Sequence, residues 1–241
     1  MDRNPRGLCM IINNVDFEGS DEPRLGSDKD TGKLEHLFNE LHFQVEVRKN
    51  LTASDMLDWF KRVSLLSHSD YDCFACCIMT HGALGTVSGT DNKLLQIQQI
   101  LGLFTGTSCE SLINKPKLFF IQACQGSSHQ EGVQVRTDSG PCGIGVGIPT
   151  TIPNEADFLL SYSTVAGYVS YRDSAQGSWY VNALVDELSN DHNNTHIMDI
   201  LTRVNNKVSV MNAHTEYGIK KQVPAPTHTL TKAVYLRSLV Q

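Results

Sequence analysis

Apolar residues arrive along this chain in two alternating patterns: short unbroken runs, and stripes spaced three or four apart. Leu8 to Ile12, Cys73 to Met79 and Leu118 to Ile121 are runs of strand length, and each reads as a strand buried on both faces. A polar stretch over residues 14–29, with Gly19, Pro23 and Gly26, reads as a loop. Leu34, Leu37, Phe38 and Leu41 then recur at i, i+3, i+4 and i+7, which predicts a helix beginning near Asp28. Phe43, Val45 and Val47 alternate with polar residues as in a strand. Thr52 and Asp55 resemble a capping box ahead of a helix striped by Met56, Trp59, Phe60 and Val63. After an excursion through residues 86–90, Leu94, Ile97, Leu101 and Phe104 predict another helix. Beyond Asn154 the pattern predicts strands near 157–161 and 168–171 and a helix with Val181, Leu184, Val185 and Leu188. A further helix carries Ile197, Ile200, Leu201, Val204 and Val208, and a closing strand runs from about His228 to Leu236. Strands alternating with helices predict an α/β fold with a mostly parallel sheet and helices on both faces.

Between Ser127 and Asn154 the periodicity disappears, and glycines and prolines take over. A structureless stretch of that length inside one domain points to a linker with a function or to disorder. Gly143, Gly145 and Gly147 lack the strand and helix that would flank a phosphate-binding loop, so that reading is set aside.

At 241 residues the chain suits one domain with a sizeable core. Its net charge of −6 argues against bulk electrostatic binding to nucleic acid or an anionic membrane, so any positive site must be local. No apolar run approaches a membrane span, and the first residues have no signal-peptide core. Seven cysteines are an odd number, and Cys9, Cys73, Cys76 and Cys77 fall inside predicted strands, the usage expected of free thiols in a reducing cytoplasm. Cys73, Cys76 and Cys77 have no second Cys/His pair at zinc-site spacing, and core packing is the better reading. The sequons at Asn50 and Asn193 are disregarded without a secretory signal.

Two of the buried runs end in reactive side chains. Leu118–Ile121 leads into Gln122, Ala123, Cys124, Gln125 and Gly126, and Cys73–Met79 leads into Thr80, His81 and Gly82. Ligands of parallel α/β sheets bind beyond the carboxyl ends of the strands. If the two strands are neighbours, a thiol and an imidazole meet there as a base-activated nucleophile. Residues 122–126 match Gln-Ala-Cys-[Arg/Gln/Gly]-Gly, the local signature of caspases, which also has a histidine about 50 residues upstream. His81 stands 43 positions before Cys124. The chain therefore resembles a caspase, over nearly its whole length. Pro5-Arg6-Gly7, Asp72-Cys73-Phe74, Phe119 to Gly126 and Asn154 to Leu160 are most similar to initiator caspases of the caspase-8 type.

That resemblance implies a three-layer fold with a sheet of about six strands, and an endopeptidase that cleaves after aspartate in regulated cell death. It implies Cys124 as nucleophile, His81 as base and acid, and the backbone N–H groups of Cys124 and Gly82 as oxyanion hole, with the Glu22 carbonyl orienting the imidazole. It implies an aspartate pocket of Arg24, Gln122 and Arg172, a chemistry that suits guanidinium forks. Tyr171 and Trp179 would line neighbouring substrate pockets, and Ser170 and Arg172 would offer main-chain hydrogen bonds to an extended peptide. No metal or organic cofactor is implied. Asp138-Ser139 lies in the glycine-rich linker, where cleavage would divide a large subunit (1–138) from a linker (139–154) and a small subunit (155–241). By analogy, the final strand, around Thr229 to Tyr235, would pair with its copy in a homodimer. Initiator caspases also carry N-terminal adaptor domains, whereas this sequence starts almost at the first strand, as an excised protease domain or a short form would. The rival expectation is a catalytically silent homologue that regulates an active partner; such homologues lose the cysteine, the histidine or the pocket arginines, and all are present here.

Overall fold

The computed structural model describes residues 1–19, 22–131, 153–191, 194–216 and 218–236. Asp138 and Ser139, the expected cleavage site, lie outside them. In chain order the strands are β1 (Gly7–Asn13), β2 (Phe43–Lys49), β3 (Cys73–Met79), β4 (Gly82–Ala83), β5 (Thr86–Ser88), β6 (Leu94–Gln96) and β7 (Lys117–Gln122). Then come β8 (Gln130–Glu131), β9 (Phe158–Tyr162), β10 (Arg172–Asp173), β11 (Gly177–Ser178), β12 (Ala213–Thr215), β13 (Gly218–Lys221) and β14 (Ala225–His228). The α-helices are α1 (Ser27–Glu40), α2 (Ala53–Ser64), α3 (Ile97–Gly102), α4 (Trp179–Asp191) and α5 (Ile197–Ser209).

Six strands form the central sheet in the order β14-β9-β7-β3-β1-β2, and only β14 runs antiparallel to its neighbour. Every residue of β1, β3 and β7 is buried, which is why these strands are unbroken apolar runs and not alternating ones. Alternate side chains point to opposite faces. Cys9, Ile11, Cys73, Cys77 and Phe120 pack under α1, α4 and α5, while Met10, Ile12, Cys76, Ile78 and Phe119 pack under α2 and α3. Cys73, Cys76 and Cys77 thus fill core space on both faces. Helix α2 is capped as its sequence suggests: the Thr52 side chain accepts from the Asp55 N–H at 3.1 Å. The return bond differs from the box pattern, since the Asp55 carboxylate accepts from the Thr52 hydroxyl at 2.7 Å.

Strand order reverses between β1 and β3: the chain steps outward to β2, then returns past β1 to β3, with α1 and α2 on opposite faces. Such a switch point opens a crevice beyond the carboxyl ends of the strands. Asn13, Met79 and Gln122 end their strands at this edge, in register.

Three expectations about elements need correction. Leu94 is on a strand, not on the expected helix: β6 pairs antiparallel with β5, and Gln96 takes an extended conformation before α3 begins at Ile97. Residues 168–171 do not form a strand. Their backbone bonds to loops instead, with Tyr168 O accepting from Gln125 N and Val169 N donating to Ser128 O. The last strand ends where the closing strand was expected to begin. After His228 the chain turns to Asp157, whose Oδ1 accepts from the N–H and hydroxyl of Thr231, and Val234 and Leu236 pack with α5.

Candidate active site

The nucleophile candidate is set by the pairing of β3 and β7. Met79 is opposite Gln122, and Thr80 N donates to Gln122 O at 3.2 Å, so His81 and Cys124 leave adjacent strands side by side. Gly82 completes the approach. A Cβ at this position would stand 2.6 Å from Thr86 O and 3.2 Å from Cys124 O, so only glycine lets β4 lie this close to the Cys124 backbone. Cys124 is half-buried, whereas the other cysteines among the described residues are fully buried. Among the described cysteines, reagents therefore reach Cys124 in preference to the rest.

His81 Nε2 lies 3.1 Å from the carbonyl oxygen of Glu22, which can only accept. Nε2 is therefore the donor, and in the neutral ring Nδ1 is the basic nitrogen. The Phe17 ring lies 4.5 Å from the imidazole, centroid to centroid, and restricts its orientation from the side. Glu22, His81, Gly82, Ala83, Ser88 and Leu94 line a cleft of about 300 Å³ around the imidazole.

On the other side of Cys124, the loop 164–171 is brought in by Gly126. A Cβ at Gly126 would stand 2.3 Å from Gly167 O, and its φ is +156°, so the two glycines permit the contact. Gln125 adds two anchors, N to Tyr168 O at 2.9 Å and Nε2 to Thr164 O. The result places Ser170 N 3.4 Å from Cys124 Sγ. Gln122 Nε2 donates to Ser170 Oγ at 2.8 Å. Tyr171 and Trp179 stand together with ring centroids 5.0 Å apart, and the Tyr171 hydroxyl is 2.8 Å from His129 Nδ1.

Arg24 and Arg172 converge on the same place. Arg24 is 1% exposed, and its Nη1 donates to Asn14 O at 3.0 Å. Its Nη2 is buried without a partner among the described residues, as is Gln122 Oε1. Arg172 Nε donates to Leu25 O at 2.9 Å. Burial, and then the neighbouring Arg172, lower the Arg24 pKa to about 9; burial also lowers that of Arg172. Two guanidiniums destabilised by burial, Arg24 also by the charge of Arg172 and with an unused donor, form a site that an incoming carboxylate would stabilise.

Of the residues expected from the sequence at this edge, Gly82 and Ser170 stand against Cys124, Gln122 bonds to Ser170, and His81 leaves the adjoining strand. Arg24 and Arg172 are close enough to feel the thiol's charge, and Tyr171, next to Ser170, pairs with Trp179. Residues 6–235 match the family model described as Caspase domain. The chain belongs to the caspase family. Caspase relatives align along nearly all of it. It is 42% identical to caspase-7 of Gallus gallus over 239 residues, covering 95% of this chain and 76% of that protein. It is 39% identical to caspase-8 of Mus musculus over 250 residues, covering 98% of this chain and 52% of that protein. Caspase-3 of Bos taurus is 37% identical over 246 residues, covering 98% of this chain and 86% of that protein. The chain thus spans about half the length of its caspase-8 relative and most of the other two. These identities lie too close together to choose among the three kinds.

Several neighbours of this caspase site were not visible from the sequence. Gln222, 1% exposed, accepts from Tyr171 N at 2.7 Å and donates to Ser163 O at 2.7 Å, tying the substrate-side loop to β9. Phe17 sits in the irregular loop between β1 and α1, and Asp30 reads as an ordinary first-turn acid of α1. Nothing in their spacing distinguishes them, because each meets the site through tertiary contacts.

Proposed function

We propose that this caspase is an active, aspartate-specific cysteine endopeptidase of the initiator kind, acting in apoptosis in the cytoplasm. What supports it most is the buried Arg24 guanidinium and the part-buried Arg172 beside a half-buried thiol, Arg24 Nη2 having no partner among the described residues. A substrate aspartate offers that donor, the Arg172 side chain and Gln122 a carboxylate, in a site where charge-assisted hydrogen bonds are strong.

In this reading His81 Nδ1 takes the Cys124 proton, and the thiolate attacks the carbonyl carbon that follows the aspartate side chain. The N–H groups of Cys124 and Gly82 hold the oxyanion. The C–N bond breaks as His81 returns the proton to the leaving amine, and a thioester remains. Water, deprotonated by His81, then releases the acid and the free thiol. The extended substrate lies along Ser170–Arg172 by strand addition, against Tyr171 and Trp179.

Activation on this proposal requires cleavage after Asp138 and pairing of two copies. Among the described residues β14 bonds to β9 on one side only, so its outer edge is the natural place for a second copy. The initiator assignment rests on the caspase-8-like segments, Asn154 to Leu160 above all. N-terminal adaptor partners belong to the same assignment.

The experiment is hydrolysis of a fluorogenic peptide ending in aspartate, in reducing buffer, beside Cys124→Ala, with a denaturing gel of both proteins. Turnover lost in Cys124→Ala, with wild-type fragments divided after Asp138, is the expected result. No turnover after deliberate cleavage of the linker and enforced dimerisation would leave the silent, regulatory homologue as the reading.

A further inference from the structure

Asp30 is fully buried on the first turns of α1, close enough to both arginines to favour their charged forms. Its carboxylate accepts three hydrogen bonds from one residue: Ser178 N donates to Oδ1 at 2.9 Å and to Oδ2 at 3.1 Å, and Ser178 Oγ donates to Oδ2 at 2.5 Å. Ser178 is the residue of β11 directly opposite Arg172 of β10. The carboxylate reaches it only because residue 177 is glycine, since a Cβ there would stand 2.1 Å from Asp30 Oδ1, at a φ of +93°.

The rest of the α1 N-terminal half grips the same hairpin. A Cβ on Gly26 would stand 2.7 Å from Asp173 O, Lys29 Nζ donates to Ala175 O, and Lys33 Nζ donates to Gln176 O at 3.0 Å. The hairpin therefore has its shape and place dictated from the segment that also carries Arg24. Charge adds to this. The Asp30 carboxylate opposes the burial cost of both guanidiniums, and the Ser178 hydrogen bonds and Arg24 in turn oppose the rise that burial gives its own pKa.

We infer that Asp30 is the positioning residue of the carboxylate pocket: by holding Ser178 and sharing the charge of the two arginines, it sets where the Arg172 guanidinium stands relative to Arg24. The inference rests on the aspartate-specific reading above. It assigns to Asp30 the discrimination between carboxylates on side chains of different length, because a guanidinium fork held at one depth fits one of them best. Once the linker is cut, Asp30 also becomes a cross-piece anchor, joining residues 1–138 to the hairpin of the other piece.

The test compares Asp30→Asn and Ser178→Ala with wild type on two otherwise identical fluorogenic peptides ending in aspartate or glutamate. Near-UV circular dichroism of each protein verifies that it is folded, so that the ratio compares folded enzymes. Wild type must first turn over the aspartate peptide; if it does not, the proposed function fails and not this inference. Given that turnover, Asp30→Asn is expected to cut the aspartate-over-glutamate ratio of kcat/KM about tenfold, with KM rising more than kcat falls. Ser178→Ala, which deletes the hydroxyl bond and keeps the N–H, is expected to cut the ratio less. Equal losses on both peptides, leaving the ratio as in wild type, overturn the inference, because a purely structural carboxylate would act alike on both. If Asp30→Asn does not fold, the ratio in Ser178→Ala decides alone.

Discussion

The two sides of Cys124 are built differently. On one side the imidazole and the thiol follow directly on β3 and β7, two residues past the last paired rung of a parallel ladder, with a fully buried core on both faces. On the other side the loop 164–171 and the hairpin 172–178 rest on side chains from elsewhere: Gln125, Gln222 and Asp30, together with glycines at 26, 126 and 177. The ladder side draws its stability from burial, so it is insensitive to any single polar contact. The loop side has few apolar contacts of its own, and individual hydrogen bonds decide its geometry. On the proposed function, chemistry is kept on the rigid part and recognition on the adjustable part, an arrangement in which the pocket can change without moving Cys124.

Substitutions separate the two. Phe119 is 1% exposed, with ring contacts to Phe74, Phe104 and Phe158, so Phe119→Ala should destabilise the fold by about 3–5 kcal/mol in chemical denaturation. Its kcat/KM at temperatures where it stays folded should change little. Arg24→Ala should do the reverse. Stability should fall less than in Phe119→Ala, by about 1–2 kcal/mol, as Asn14 O and the Asp30 carboxylate lose a partner, while kcat/KM on an aspartate peptide falls roughly 100-fold or more. Gln222→Ala is smaller still, leaving Tyr171 N and Ser163 O without partners; about tenfold lower kcat/KM is expected, mainly through KM. Should Phe119→Ala damage kinetics more than stability, or Arg24→Ala do the opposite, the division between the two sides would not hold.

The same division explains what could be read from the sequence. Fully buried strands leave unbroken apolar runs, so β1, β3 and β7 could be found with nearly their true ends, and the order of helices and strands followed. Where periodicity met competing backbone partners, it misled. Val169 and Tyr171 alternate like a strand but bond to Ser128 and Gln222, and Leu94 keeps helical spacing while it pairs with Ser88. The apolar residues after Thr229 pack against α5 and not in the sheet. Cys124, His81, Arg24, Gln122 and Arg172 were legible because they lie in short recognisable motifs. Asp30, Ser178 and Gln222 were not, since a polar residue that acts from another element leaves no local pattern.

The central claim is that the arginine pocket directs an aspartate-bearing carbonyl to Cys124 and to no other thiol. Its most direct test is reaction with a peptidyl fluoromethyl ketone ending in aspartate, beside the isosteric asparagine compound, followed by mass mapping of the labelled cysteine. The account predicts one adduct, on Cys124, formed far faster by the aspartate compound. Labelling at equal rates by both compounds, or on Cys9 or Cys109 instead, would contradict it.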